Sequence, residues 1–243
     1  GLQDRLPPFS LSEAKTIIKK DLGEETFNTI IDLSEPVAAA SIAQVHKAKI
    51  NDNGTIKDVA IKILRPEIKK IFNEEIDALM LFAFFIESFV KKTKRLKLIE
   101  VVFLLKEITN LEMDLRFEAA AASEYAENTK NDAGFKVPAI YWNFTSENVM
   151  TLDWVDGVSI RETEDLQKRN INTKRIASDI IQHFLRHAVR DGFFHADMHQ
   201  GNIFIDDSGQ IVPIDFGIMG RLDDLSKRFL AEILFGFIQR DYK

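Results

Sequence analysis

Asp197, Asn202 and Asp215 are separated by five and then thirteen residues, with two short apolar runs between the last pair, Ile203 to Ile205 and Ile211 to Ile214. Carboxylates and a carboxamide at this spacing suit phosphoryl transfer, which needs one carboxylate near an attacking hydroxyl and hard oxygen ligands for magnesium. Asp197 fits the first role, and Asn202 with Asp215 fits the second. Two like charges 4 Å apart repel by about 4 kcal/mol at an effective dielectric near 20. Carboxylates beside a nucleotide's phosphates therefore require a divalent cation to remove that repulsion. The set implies ATP and Mg2+ as cofactors.

The same chemistry demands a cation for the phosphates and an anion to hold that cation in place. Apolar residues alternate along VAIKI, so Val59, Ile61 and Ile63 share one face of a strand while Ala60 and Lys62 share the other. Val101, Leu104, Leu105, Ile108, Leu111, Leu115 and Ala122 recur at helical spacing and predict one buried stripe. Glu118 lies at one edge of that stripe and Glu112 at the opposite edge, so both carboxylates are expected to face inward. An unpaired carboxylate at a buried edge would be costly, and Glu118 is the best-placed partner for Lys62. The order VAIK, inward glutamate, HxDxxxxN, DFG is that of a protein kinase. Asp197, Lys62 and Glu118 are thus the expected catalytic residues, with Asn202 and Asp215 holding metal.

Other residues have competing roles. His195, at the head of HADMHQGNIFI, suits a structural role in holding the loop backbone, while His199 either approaches the transferred phosphate or shapes the loop. His183 and His187 have the i, i+4 spacing of zinc ligands, but HFLRH lacks the glutamate of HExxH and reads first as a helix face. The phenylalanine-rich run from Phe82 to Phe89 reads first as core, and second as a helix facing a membrane or a partner.

The elements that must position these residues are partly legible. SLSE predicts a capping box at Ser10 and Glu13, opening a helix that Gly23 ends. PVAAASIAQVHKAKI and KDVAIKIL predict two strands around a turn at Asn53-Gly54. Residues 67–128 read as helical. Pro138 is expected to start a strand toward Phe144, and NVMTLDWV gives another before a turn at Asp156-Gly157, the expected hinge. A helix from about Thr173 to Arg190 leads into the catalytic stretch.

The whole chain of 243 residues is 45% hydrophobic and 29% charged, enough to bury a core in one large domain or two lobes. A net charge of -6, with both signs interspersed, gives no basic face of the kind duplex nucleic acid requires. The absence of cysteine excludes disulfides, thiolate nucleophiles and Cys-ligated zinc, and fits a reducing compartment. No stretch reaches the roughly 18 apolar residues of a spanning helix: ALMLFAFFIESFV follows Asp77 and contains Glu87. A targeting or anchoring segment is left to residues outside this sequence.

A usual protein kinase covers the phosphates with a glycine-rich loop, whereas the matching place here is AAASIAQVH, Ala38 to His46, without glycine. With LQDRLPPF, PVAAASIAQVHKA, VAIKILRPEI, EMDLRFEAAAASEY, HADMHQGNIFI and IDFGIMGRL, the sequence resembles the UbiB/ADCK-type atypical kinase-like family over almost its whole length. The resemblance implies an α+β, protein-kinase-like two-lobed fold with an N-terminal helical extension and an Ala-rich nucleotide loop. The expected divisions are residues 1–36 for the extension, 37–155 for an N-lobe with inserted helices and 156–243 for a C-lobe. It implies a Lys62–Glu118 ion pair and nucleotide contacts from Ala38, Ala39, Ala40, Ser41, Lys62, Asp153 and Val155. Glu112 and Asp114 match the family's ExD motif, whose partner, KxGQ, precedes LQDxxPPF in the family and is absent from this sequence. Gln200 stands where many relatives have proline.

The activity so implied is that of an ATP- and magnesium-dependent kinase-like ATPase in ubiquinone biosynthesis, acting on lipid or small-molecule precursors rather than on proteins. The implied partners are quinone-precursor lipids or ubiquinone-biosynthesis proteins and a membrane surface, at the cytoplasmic face of a bacterial inner membrane or the mitochondrial matrix side. Two alternatives stand beside it: a nucleotide-binding pseudokinase scaffold, and a small-molecule phosphotransferase of the aminoglycoside or choline kinase type.

Overall fold

The computed structural model describes residues 7–90 and 95–239, so residues 2–6 of the LQDRLPPF motif lie outside it. The chain divides into two compact units, one of Gly1–Glu118 and Ile140–Asp153, the other of Ala119–Ala139 and Trp154–Lys243.

The first unit is built on an antiparallel sheet covered by a capped helix. Helix α1 (Leu11–Leu22) opens with the expected capping box: the Glu13 N–H donates to Ser10 Oγ at 3.2 Å, and the Ser10 N–H donates to the Glu13 carboxylate at 2.9 Å. After the short α2 (Glu24–Phe27) come β1 (Ile30–Ile31), β2 (Pro36–Ala39), β3 (Ala43–Asp52) and β4 (Thr55–Leu64). The Asn53-Gly54 turn has φ of 51° and 88°, the doubly positive geometry that twists a two-residue hairpin correctly. Val59, Ile61 and Ile63 of β4 bury with Ala48 and Ile50 of β3 against Ala14 and Ile18 of α1. The stretch expected as one strand from Pro36 to Ile50 is in fact β2 and β3. The Ala40 N–H closes a tight turn on the Ala43 carbonyl at 2.8 Å, which small side chains permit.

The helical region is three helices rather than a continuous stretch: α3 (Ile68–Phe89), α4 (Leu98–Glu112) and α5 (Leu115–Thr129). The break at Met113-Asp114 needs neither glycine nor proline. Asp114 interrupts the ladder by capping α5, its Oδ1 accepting from the Arg116 N–H at 3.1 Å. The expected buried stripe fails on α4, where Val101, Leu104, Leu105, Ile108 and Leu111 are exposed; only Leu115 and Ala122, both on α5, are buried. Helix α4 is apolar nearly all round, and α3 takes a different face. Lys106 reaches Asp77 at 3.6 Å, and the Ile99 N–H donates to Glu87 at 3.1 Å. Glu112, expected to face inward, is correspondingly exposed. Phe82, Phe84, Phe85 and Phe89 are exposed too, contrary to the core expectation, while Ala83 is buried. No helix among the described residues is long and apolar enough to cross a membrane.

The sheet continues to β5 (Val149–Asp153) in the order β1-β3-β4-β5, with β2 also on β3. No strand forms from Pro138 to Phe144. Ile140 makes a lone bridge to Leu152, and Trp142–Phe144 is a 3-10 turn that Thr151 Oγ1 holds by donating to the Phe144 carbonyl at 2.8 Å.

In the second unit, β6 (Gly157–Ser159) precedes α6 (Thr163–Lys168) and α7 (Thr173–Arg186), whose N-cap Asn172 accepts from the Arg175 N–H at 3.1 Å. A π-helical turn, His187–Asp191, follows α7 and leads to β7 (Phe193–His195), β8 (Ile203–Asp206), β9 (Ile211–Pro213), β10 (Met219–Arg221) and α8 (Asp224–Gln239). Strands β6-β8-β9 form one antiparallel sheet, and β7 pairs with β10. The buried Tyr125 ring from α5 packs edge-on against Phe135, Phe193 and Phe216 with centroids 5.5, 6.1 and 6.5 Å away.

Candidate active site

In the first unit, the pleat of β4 sends Lys62 away from the face that carries Val59, Ile61 and Ile63. Its Nζ lies 2.7 and 2.8 Å from the two carboxylate oxygens of Glu118, and the two side chains are only 16% and 9% exposed. Glu118 sits in the first turn of α5, whose start is tied down by the Leu115 N–H donating to the Glu147 carbonyl at 2.9 Å. A half-buried pair with both carboxylate oxygens engaged is a rigid cation mount, since neither partner is exposed enough to exchange its bond for water freely. Of the acidic residues four and six positions before it, Asp114 is engaged by Arg116, which holds its carboxyl below the usual carboxylate range, and Glu112 stays on the exposed surface.

Ala38 and Ala39 close β2, and Ala40 and Ser41 form the turn into β3. No residue from Ala38 to His46 has a positive φ, so this loop needs no glycine to take its shape. Asp153, at the end of β5, accepts from the Tyr141 hydroxyl at 2.7 Å.

In the second unit, His195 joins the expected loop residues. The Asp197 N–H donates to His195 Nδ1 at 3.1 Å, which leaves Nε2 to carry the proton and donate to the Asp215 carbonyl at 2.5 Å. Burial pushes the His195 pKa down, so the ring is neutral, as this bonding requires. Asn202 Nδ2 faces the Asp197 carbonyl and carboxylate at 3.2 and 3.3 Å, and the Ile214 N–H donates to the Asn202 carbonyl at 3.0 Å. Asp215 Oδ1 accepts from the Gly217 N–H at 3.0 Å. His199 shapes the loop, its Nδ1 accepting from the Gly201 N–H at 2.9 Å. Val155 is half-buried just before β6. With its amide nitrogen on Asp197, Asn202 keeps Oδ1 as an acceptor, and together with the Asp215 carboxylate it offers the hard oxygen donors that suit Mg2+ rather than a softer metal.

A family model described as the ABC1 atypical kinase-like domain matches residues 1–243. This chain belongs to the ABC1 atypical kinase-like family. Curated relatives named "Probable protein kinase UbiB" are 38% identical in Marinobacter nauticus and 36% in Vibrio cholerae, each over 100% of this chain and 45% of the relative. The chain therefore spans a little under half the length of those relatives. Among solved structures, the complex of Rv3197 with erythromycin from Mycobacterium tuberculosis aligns with a TM-score of 0.63 and 29% identity, covering 88% of this chain and 53% of that one. The fold is accordingly a kinase-like mixture of helix and sheet.

The ABC1 domain also has supports for its Ala-rich loop that the motif pattern did not single out. Arg65 donates from Nε and Nη2 to the Ala40 carbonyl at 3.1 and 2.9 Å, and from Nη1 to the Pro7 carbonyl at 2.9 Å. Fully buried Gln44 accepts from the Phe9 N–H at 3.0 Å and donates to the Phe9 carbonyl at 3.1 Å and to His46 Nε2 at 2.8 Å. His46 Nδ1 in turn meets the Ser34 carbonyl at 2.8 Å, and burial lowers its pKa toward the neutral form. The signal was present in the sequence: Gln44 and His46 are in phase with Ala48 and Ile50, the inward face of β3.

Proposed function

We propose that this ABC1 domain binds ATP with Mg2+ and hydrolyses it, or passes its terminal phosphate to a lipid or small-molecule acceptor, in support of ubiquinone biosynthesis. The observation that carries the proposal is the bonded assembly of Asp197, Asn202 and Asp215 around His195, in a chain that also mounts Lys62 on Glu118. Lys62 would hold nucleotide phosphates, and Ala38, Ala39, Ala40 and Ser41 would lie over them, with Asp153 and Val155 completing the nucleotide contacts. Asn202 Oδ1 and the Asp215 carboxylate would hold Mg2+, whose bound charge neutralises the phosphates. Asp197 would accept the proton of the attacking hydroxyl or water as the new P–O bond forms and the bond to the departing diphosphate breaks.

In this reading residues 1–36 form an N-terminal extension, 37–155 an N-lobe with inserted helices, and 156–243 a C-lobe. The Ala-rich loop and the ExD residues Glu112 and Asp114 favour this assignment over a soluble-alcohol phosphotransferase. The partners are quinone-precursor lipids or ubiquinone-biosynthesis proteins, met at a membrane surface on the cytoplasmic or matrix side.

ATP hydrolysis by wild type and Asp215→Asn, with and without lipid or phenolic quinone precursors, tests the reading. The substitution keeps the oxygen that accepts from Gly217, so folding is expected to survive while Mg2+-dependent turnover falls at least a hundredfold, the loss of about 2.7 kcal/mol of transition-state stabilisation. Turnover unchanged in Asp215→Asn contradicts the metal role. Stabilisation by ATP and Mg2+ without any product would favour the scaffold alternative.

A further inference from the structure

The second unit holds a cluster of metal-ligating side chains that phosphoryl transfer does not use. His183 lies on α7 and His187 one turn later, on the same side of the helical run, and Asp132 comes from the segment after α5. One ligand atom from each lies within 4.8 Å of the others. His183 is only 6% exposed, yet its Nδ1 has no hydrogen-bond partner among the described residues. An unmatched buried nitrogen costs about 1–3 kcal/mol, and a missing ligand is a physical reason for it to persist.

The two neighbours are already held in place by hydrogen bonds. Asp132 receives Arg190 Nη1 and Nη2 at 2.7 and 2.9 Å, and His187 is gripped at Nδ1 by the Tyr125 hydroxyl at 2.7 Å and at Nε2 by Asp132 at 2.9 Å. Arg190 on Asp132 and Tyr125 on His187 stand where the outer partners that fix ligand direction stand in metal sites. Burial pushes the pKa of both histidines down, which keeps them in the neutral form that binds metal.

We propose that Asp132, His183 and His187 form a site for one transition-metal dication of the Zn2+ class. Two imidazole nitrogens and one carboxylate suit Zn2+ or Co2+ and not Mg2+, which prefers oxygen alone. Tetrahedral Zn2+ with bonds near 2.0–2.1 Å places its ligands about 3.4 Å apart, so side-chain movements on the order of 1 Å complete the set. The His187 proton moves from Nε2 to Nδ1, with the Tyr125 oxygen as its acceptor, and the ring stays neutral. Arg190, and Arg186 at 4.0 Å from Asp132, oppose the added charge. Both arginine side chains are 43% exposed, so solvent screens that repulsion. A cavity of about 540 Å³, lined by His183 with Gly134, Arg175, Asp179 and Gln182, brings solvent to the His183 side of the cluster. The ion would tie the Asp132 segment to α7.

The test is titration of the tag-free, chelator-treated chain with Co2+ and with Zn2+, in excess Mg2+. It follows the visible Co2+ absorption band, competition with a chromophoric chelator, and Tm. One equivalent is expected to bind wild type and His199→Ala with a tetrahedral Co2+ spectrum and a rise in Tm. His183→Ala, which removes no hydrogen bond at Nδ1, is expected to weaken binding at least tenfold and abolish the band. Absence of stoichiometric binding to wild type, or equal binding by His183→Ala, overturns the proposal. If His183→Ala does not fold by circular dichroism, His183→Gln serves in its place with the same expected and contrary results.

Discussion

Lys62 and Glu118 satisfy one another at 2.7 and 2.8 Å with little exposure, so each keeps the other's burial tolerable. Lys62→Met removes the ammonium and is predicted to lower the unfolding free energy by about 2–3 kcal/mol. Adding Glu118→Gln should restore much of that stability, because an amide is cheaper to bury than a carboxylate, without restoring ATP turnover. Urea midpoints and ATPase rates for the two variants check this; a double variant no more stable than Lys62→Met would show that the pair's role in stability is misjudged. The pairing was legible in the sequence because strand alternation fixes the face of Lys62, and a carboxylate three residues beyond buried Leu115 needs a cation. Glu112 was not legible in the same way: its inward direction was inferred from a stripe that the fold leaves exposed.

At the scale of elements, local signals did well where a single residue dictates geometry. The capping box at Ser10 and the Asn53-Gly54 turn both form, and the strands that follow from them are in place. Periodicity did less well on α4, since a helix apolar on several faces does not announce which face a neighbour will take. The direction of α3 is open to a sharp contrast. Phe82→Ser, at a position 63% exposed, should shift stability by no more than about 0.5 kcal/mol. Ala83→Phe, at a buried position, should destabilise by about 1–3 kcal/mol through overpacking. The reverse order in denaturant midpoints would place the wrong face outward. A second contrast concerns glycines with positive φ. Gly192 has φ 65° and a side chain there would meet the Leu222 carbonyl at 2.6 Å, whereas Gly209 has φ 82° and open space. Gly209→Ala should cost about 1 kcal/mol and Gly192→Ala at least twice that; equal losses would mean that strain, and not the close approach before β7, decides.

At the scale of the molecule, motif order carried the functional reading further than composition did. Charge and cysteine content narrowed the classes, but only the succession from VAIK to DFG pointed to a nucleotide. The Ala-rich loop then pointed to the family. The support around that loop from Arg65, Gln44 and His46 was only half legible: strand phase turns Gln44 and His46 inward, but the backbone groups of Pro7, Phe9, Ser34 and Ala40 that they and Arg65 hold are named by no motif. The proposed function requires both Lys62 and the Asp197, Asn202 and Asp215 set for binding ATP with Mg2+. Calorimetric titration of ATP into wild type, Lys62→Met and Asp215→Asn, each with and without Mg2+, tests it most directly. Mg2+-dependent binding is expected for wild type, with affinity at least tenfold weaker in Lys62→Met and loss of the Mg2+ dependence in Asp215→Asn. The same affinity in all three proteins, whether or not Mg2+ is present, would contradict it.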